Sequence, residues 1–318
     1  MFRFIVRRLA LGLVTLWVLS ILIFIGTHVL PGNPGRSMLG PFASAEAVDA
    51  LNEELGANDP LLTQYTDWIG DVLHGDLGTS FAFKRPVGDM IATAMAQSFK
   101  LAIIAFVILV PLGILGGVFA ALHAGKPADR IISIGGLSAT AMPEFVGGIV
   151  LIIIFGLWLD VLPISARWPP GTSLVGQIQY LLMPALALVL VLFGYLARMA
   201  RAGTVAALDA DYTRTAMLKG LPRRTVVWRH VLRNALLPTI TVIATQLGYM
   251  IGGLVVVERL FNYNGVGELI LNAARNRDYP QLQSTVLVIG VIYLVTTLVA
   301  DILYSVLNPR IRYGGAPE

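Results

Sequence analysis

Six stretches of this 318-residue chain are long enough to cross a lipid bilayer and carry few or no charged side chains. They cover residues 9–30, 101–122, 134–159, 180–197, 236–257 and 285–307. Inside a bilayer the backbone must satisfy its own hydrogen bonds, which only α-helices and closed β-barrels achieve. Barrel strands alternate apolar and polar residues, whereas these stretches are continuously apolar. We therefore predict an all-α membrane protein with six transmembrane helices.

The composition agrees with a bilayer as the solvent, because 56% of the residues are hydrophobic and only 13% are charged. The first stretch is long enough to span and runs into Pro31-Gly32-Asn33-Pro34, unlike the short core and small-residue cleavage site of a signal peptide. We expect it to be a retained anchor. The chain has no cysteine, which excludes disulfides and cysteine-ligated metals.

Lysine and arginine are concentrated in alternate loops, which predicts the orientation in the membrane. If the N-terminus is cytoplasmic, the inner segments hold 15 of the 23 basic residues. The outer segment 31–97 carries nine acids against Arg36, Lys84 and Arg85. Because cytoplasmic loops are enriched in lysine and arginine, both termini are predicted to be cytoplasmic. This pattern also explains the net charge of +4, so no nucleic-acid partner is expected.

The chain divides into three regions. Residues 1–30 are the N-terminal cytoplasmic end and the first transmembrane helix, residues 31–100 an extracytoplasmic cap segment, and residues 101–318 a five-helix core. Within the cap, the turn signal Asn58-Asp59-Pro60 precedes a helical stripe of apolar residues. The stripe consists of Leu61, Leu62, Tyr65, Trp68, Ile69 and Leu73. We predict a helix there and a folded cap.

The longest inner insertion covers about residues 198–234. Asp211 is predicted to cap a short helix over 212–219, and Gly220 to close it in a left-handed conformation. Pro222 then begins a second short helix over 222–234. This second helix groups Val227, Trp228, Val231 and Leu232 among arginines. Such a face fits either the membrane surface or a partner protein, and both readings stay open.

The inner insertion also carries a family resemblance. From Asp211 to Leu221 it reads DYTRTAMLKGL, which resembles the coupling segment of binding-protein-dependent ABC permeases of the dipeptide and oligopeptide branch. Three further sequences resemble the same branch: GDLGTS beginning at Gly75, VERLF beginning at Val257 and RDYP beginning at Arg277. The general family motif begins Glu-Ala-Ala, where this chain has Arg214, Thr215 and Ala216. The likeness covers essentially the whole chain in order.

The resemblance implies the type I ABC importer permease fold and a place in the bacterial cytoplasmic (inner) membrane. It implies a subunit that forms half of a translocation pathway for di- and oligopeptides and couples to separate ATPase subunits. The implied partners are a second homologous permease subunit in a heterodimer, two ATP-binding subunits or domains, and an extracytoplasmic substrate-binding protein. The residues implied to couple to the ATPase are Asp211, Tyr212, Arg214, Thr215, Ala216, Lys219 and Gly220.

The chain lacks the motifs of an enzyme. Its single Gly-Lys pair, Gly125-Lys126, has Ala120 where a phosphate-binding loop needs its first glycine and Pro127 where it needs serine or threonine. A zinc-protease pattern and a nucleophile turn are also missing from the sequence. We expect a non-catalytic chain that binds no cofactor, with ATP and magnesium on the partner subunits.

Three polar residues in the apolar stretches are candidates for the substrate pathway. Glu144 lies near the middle of the third stretch, where a carboxylate facing lipid would be costly. Gln246 and Tyr249 share a helical face on the fifth. For Glu144, the competing structural interpretation is that the carboxyl is neutral or pairs with a neighbouring helix.

Other functions remain open at this point. The same machinery could serve nickel, glutathione or haem-like ligands. An ion-coupled secondary transporter would need several ionisable groups within the membrane, and this chain offers one central carboxylate. A third possibility is an assembly scaffold built on the outer cap.

Overall fold

The computed structural model describes residues 2–29, 33–40 and 42–307, which are mainly helical. The turn at Pro31-Gly32 and the basic residues Arg310 and Arg312 lie outside these ranges. The helices in the first part are α1 (Phe2–Val29), α2 (Pro34–Leu39), α3 (Ala45–Glu54), α4 (Leu61–Leu73), α5 (Val87–Leu122), α6 (Pro127–Ala141) and α7 (Glu144–Leu151). Those in the second part are α8 (Leu174–Asp209), α9 (Asp211–Leu218), α10 (Arg223–Thr225), α11 (Leu232–Leu260), α12 (Val266–Asn276) and α13 (Tyr279–Leu307).

Two of these helices continue through a π-helical turn. The segment Ile152–Trp158 extends α7, and Val226–Val231 joins α10 to α11. In the described residues, the only extended pairing is an isolated bridge between Thr79 and Pro86. An all-α protein was predicted, and the described residues agree.

Within the described residues, five helices are long and apolar enough to cross a membrane, and a bent pair makes six if it is counted as one span. The pair is α6 and α7 with its π-helical extension, and the second helix is bent by 113° relative to the first. The stretch predicted as the third span, 134–159, therefore contains two helices with a sharp bend between them. Pro143 supplies the reason, because it has no N–H and disfavours a helical Met142, whose φ of −82° and ψ of 137° are extended.

Helices α5 and α8 are much longer than the apolar stretches that predicted them. Helix α5 begins at Val87, and α8 runs from Leu174 to Asp209. Hydropathy marks only the part of a helix that lipid can cover, so polar extensions give no signal.

The chain forms two compact units, of which the first comprises residues 99–263 and 296–307. Helix α8 lies at its centre, with Leu181, Leu188 and Leu196 buried in the main apolar core. Glycines allow α8 to approach its neighbours closely. A Cβ on Gly194 would lie 2.0 Å from the Gly136 carbonyl oxygen of α6. Such close backbone contact is typical of helix pairs in membranes.

The second unit comprises residues 2–98 and 264–295, described with the gaps given above. Helix α4 confirms the helix predicted in the cap, and it packs on α1. The Tyr65 hydroxyl lies 2.9 Å from Ser20 Oγ, and Phe24 of α1 stacks near Trp68. Leu62 remains exposed, so only part of the predicted apolar stripe is covered in this chain.

A loop of the second unit is held by a buried carboxylate. Asp278 accepts hydrogen bonds from Ser80 Oγ at 2.5 Å and from the backbone N–H groups of Phe81 and Ala82, both at 3.1 Å. Two sequence motifs, GDLGTS and RDYP, therefore meet in space. Backbone donors and a hydroxyl satisfy the charge that burial would otherwise penalise.

Candidate coupling segment and pathway

Residues 198–234, the predicted inner insertion, belong to the first unit. They contain the end of α8, then α9 and α10, and the start of α11. Gly220 has φ of +77°, which confirms the left-handed turn predicted there. Asp211 is not the helix cap, because Ala210 occupies that position and Asp211 lies in the first turn of α9. The carboxylate there still complements the positive end of the helix dipole.

One face of α9 is fixed to its own chain. Thr213 and Ala216 are buried, and Thr213 Oγ1 donates to the Ala207 carbonyl oxygen of α8 at 2.7 Å. Ala216 packs with Val226 and Val231 of the π-helical turn. Of the residues predicted to couple to an ATPase, Ala216 thus faces the chain itself.

The opposite face of α9 is exposed. It contains the other predicted coupling residues: Asp211, Tyr212, Arg214, Thr215, Lys219 and Gly220. It also presents Met217 and Leu218, the latter 88% exposed, which the family motif did not single out. The sequence alone does not mark them, because the side of α9 that is buried is set by its contacts with α8 and the π-helical turn.

The second short helix predicted over 222–234 is not separate. Arg223 to Leu260 forms one span-length helix, with Pro222 at its N-cap. Its apolar residues Val227 and Leu232 are buried against Val118 of α5, so they face neither lipid nor a partner. Trp228 alone of the predicted group stays exposed. A π-helical turn shifts the residue spacing, which is why a regular helical wheel misplaced this face.

An ion pair joins α6 to α8 and was not predicted. Arg201 Nε and Nη2 donate to Asp129 Oδ1 and Oδ2 at 2.5 and 2.7 Å. The Gly125 N–H and Ser133 Oγ donate to the same carboxylate at 2.9 and 3.2 Å. The paired residues are distant in sequence, so no local pattern reports the contact.

Glu144 lies at the bend between α6 and α7, as the first residue of α7. Its carboxylate approaches α11, because a Cβ on Gly253 would lie 2.9 Å from Glu144 Oε1. The side chain is half-buried, and it makes no hydrogen bond or ion pair with any residue in the described ranges. Glu144 therefore lies within the predicted third stretch, at the break between its two helices.

The other two pathway candidates face different ways. Gln246 is buried, and its Nε2 lies 3.5 Å from the Leu192 carbonyl oxygen of α8. Tyr249 is 71% exposed. It belongs to an exposed row on α11, spaced three and four residues apart. The row consists of Thr245, Tyr249, Gly252, Val256 and Arg259.

No group of three or more histidine, aspartate or glutamate side chains in the described part of the chain is arranged to hold a metal ion. Nothing in the site geometry therefore points to metal chemistry on those residues. Three features are thus present: the exposed face of α9, the break between α6 and α7, and the exposed row on α11. All three suit a protein that moves and forms a passage.

Two family models match the sequence. Residues 113–313 match "Binding-protein-dependent transport system inner membrane component", and residues 1–102 match the N-terminal model of the same membrane component. Together they extend over nearly the whole chain.

Curated relatives agree with the family models. The glutathione transport system permease protein GsiC of Escherichia coli (strain K12) is 36% identical over 314 residues, covering 98% of this chain and 100% of that protein. The protein of the same name from Shigella boydii serotype 4 (strain Sb227) is 35% identical over the same length.

A solved structure shows the fold. A chain from "Crystal structure of an amino acid ABC transporter with histidines" superposes with a TM-score of 0.50 at 20% identity, covering 70% of this chain and 94% of that one. The predicted type I ABC permease fold is thereby confirmed. Family, relatives and fold agree that this chain belongs to the binding-protein-dependent transport system inner membrane components, as a multi-pass ABC permease subunit and not an enzyme.

Proposed function

We propose that this chain forms half of the translocation pathway of an ATP-driven importer for short peptides, and that α9 is the element that binds the ATPase. The observation that carries this proposal is the division of α9 into two faces. One face is tied to α8 and to the π-helical turn, and the other presents Tyr212, Met217 and Leu218 outward. An exposed apolar surface flanked by charges is typical of a protein interface.

The fixed face explains how movement would be transmitted. A push on α9 reaches α8 through the Thr213–Ala207 hydrogen bond, and it reaches the start of α11 through Ala216 and Val231. Close-packed side chains transmit displacement because protein interiors are nearly incompressible. ATP binding and hydrolysis, with magnesium, belong to two separate subunits in this scheme.

The exposed row on α11 is the proposed wall of the pathway. The row is long and mixes polar, small and apolar residues around Tyr249, and Glu144 approaches the same helix at Gly253. A second homologous permease subunit would close the passage from the other side, as a heterodimer. An extracytoplasmic binding protein would deliver the cargo, and both termini would lie in the cytoplasm, which the excess of lysine and arginine in the inner loops supports.

Short peptides are the proposed cargo, and glutathione is the second candidate. The relatives are permeases of glutathione transport systems, which favours glutathione, itself a tripeptide. The branch resemblance of residues 211–221 favours di- and oligopeptides. Nickel and haem-like ligands have no observation in their favour beyond the family.

The test uses the complex purified with its native partners and reconstituted in vesicles. In Gly220→Pro, proline cannot adopt the φ of +77° that the turn requires, so α9 should lose its position. In Leu218→Asp, a charge enters the exposed apolar face. We expect both variants to insert normally but to lose substrate-stimulated ATP hydrolysis and uptake.

The matched control is Leu62→Asp, which alters an exposed leucine on α4 in the other unit. It should keep the ATPase subunits bound. Normal ATP hydrolysis and uptake in both α9 variants would contradict the proposal.

A further inference from the structure

Glu144, which is half-buried, differs from two fully buried carboxylates, Asp129 and Asp278. Asp129 receives four hydrogen bonds, from Arg201, Gly125 and Ser133, and Asp278 receives four from the loop around Ser80 and from Gln281. Glu144 receives none from the described residues, although it lies in a bent helix pair that is long and apolar enough to form a membrane span. An ionised carboxylate in lipid is expensive, so this one must face another chain, water or a ligand.

The surroundings of Glu144 indicate which side it faces. Its carboxylate lies against Gly253 and near Leu188, which a Cβ on Gly253 would also meet, at 3.1 Å. Gly252, next in the chain, belongs to the exposed row of α11 and has nothing within 4 Å of its would-be Cβ. Leu188 belongs to the apolar core but Glu144 itself is only half-buried, so the carboxylate lies at the margin of that core, next to the exposed row of α11.

An exposed aromatic side chain lies one helical turn from Gly253 on α11. Tyr249 precedes Gly253 by one helical turn, about 6 Å along the α11 axis, and its ring is exposed. A carboxylate and an exposed aromatic face together suit an organic ammonium ion, which combines a charge-assisted hydrogen bond with a cation–π contact.

We propose that Glu144 binds the positively charged amino group of the cargo as it passes through the membrane. The inference rests on the proposed function and adds a substrate class to it: small peptides and conjugates that carry a free amino group. Gly253 lies beside this site, because a Cβ there would come within 2.9 Å of Glu144 Oε1 and the carboxylate would have to shift.

The experiment measures uptake by the reconstituted complex with glutathione and alanyl-alanine, each of which has a free amino group. Glu144→Gln should raise the half-saturating concentration about tenfold, the loss expected for one charge-assisted hydrogen bond. Glu144→Asp, which keeps the charge, should lose less. Glu54→Gln, at an exposed carboxyl of the predicted cap segment, is the control and should match the wild type.

Acetylation of the cargo isolates the amino group. For N-acetyl-alanyl-alanine the Glu144→Gln variant and the wild type should transport alike. Because each comparison uses one substrate, the preference of the binding protein cancels.

Several results would overturn the inference. These are an unchanged half-saturating concentration in Glu144→Gln, an equal penalty with the acetylated peptide, or a larger loss in Glu144→Asp than in Glu144→Gln. Loss of the second permease subunit from the Glu144→Gln complex would assign the carboxylate to a subunit contact instead. If the wild-type complex transports neither free peptide and neither stimulates ATP hydrolysis, the proposed peptide-import function itself fails.

Discussion

Arg201 of α8 holds Asp129 of α6 with two hydrogen bonds, Nε to Oδ1 at 2.5 Å and Nη2 to Oδ2 at 2.7 Å. The Asp129 side chain is 6% exposed and that of Arg201 is 33% exposed. The pair joins the start of α6 to the part of α8 that leads to α9. A bidentate pair of this kind fixes orientation as well as distance.

Removal of one partner from this pair should destabilise the protein. In Arg201→Ala the Asp129 carboxylate stays buried without its main partner, which we expect to cost about 3 kcal/mol. Thermal unfolding of the complex in detergent measures the loss. Arg130→Ala, at an exposed position, should leave the midpoint unchanged. The double variant Asp129→Leu with Arg201→Met should recover most of the stability, and equal loss in all three would contradict the role of the pair.

Substitution by alanine should have opposite effects on stability at two neighbouring glycines of α6. A Cβ on Gly136 would lie 2.9 Å from the Gly194 Cα of α8, whereas a Cβ on Gly135 would meet nothing within 4 Å. Gly136→Ala must push the helices apart, which we expect to cost about 2 kcal/mol. Gly135→Ala should be neutral or stabilising, since alanine favours the helix by about 1 kcal/mol. Similar unfolding midpoints for the two variants would show that α6 and α8 do not cross closely.

The Ser80–Asp278 hydrogen bond should keep the loop around residues 79–86 closed. Ser80→Ala removes a donor from a buried carboxylate, a loss of about 2 kcal/mol. Amide hydrogen exchange should become faster at Phe81 and Ala82, whose N–H groups also bind Asp278. Thr79→Ala, at an exposed position, is the control. Unchanged exchange in Ser80→Ala would mean that the backbone donors alone hold the loop.

Tyr263 should make the stability of the protein sensitive to alkaline pH. Burial raises the pKa of its hydroxyl above the usual 10.0, and the Glu258 carboxylate adds to this effect. The unfolded chain ionises near pH 10 while the folded chain does not, so this contribution to stability is intact below pH 10 and is lost as the pH rises above it. Unfolding midpoints measured across that range should fall less steeply for Tyr263→Phe. An identical slope would place Tyr263 in contact with water.

The sequence predicted those features that depend on local rules. Continuous apolar stretches must be helical because lipid offers no partner for the backbone. Gly220 was predicted in a left-handed turn because it follows a helix end where residues with a Cβ are strained. The helix in the cap followed from the spacing of its apolar residues and from Pro60.

What the sequence did not reveal depends on contacts between distant residues. The Asp129–Arg201 and Ser80–Asp278 contacts join positions 72 and 198 residues apart, for which no periodicity exists. Gln246 and Tyr249 lie on nearly the same helical face, yet one packs on α8 and the other is exposed, because only the position of α8 separates them. The break at Pro143 was hidden because hydropathy does not register a change of direction.

The most direct test of ATPase binding by α9 is disulfide cross-linking, which the absence of native cysteine in this chain makes clean. Single cysteines at Leu218, on the exposed face, and at Thr213, on the buried face, are each paired with cysteines placed along the ATPase subunit in the native complex. We predict that Leu218→Cys forms a cross-link that ATP modulates and that Thr213→Cys forms none. Failure of Leu218→Cys to cross-link to any ATPase position, or its labelling by a membrane-impermeant thiol reagent from outside the cell, would contradict the assignment of α9 as the coupling element.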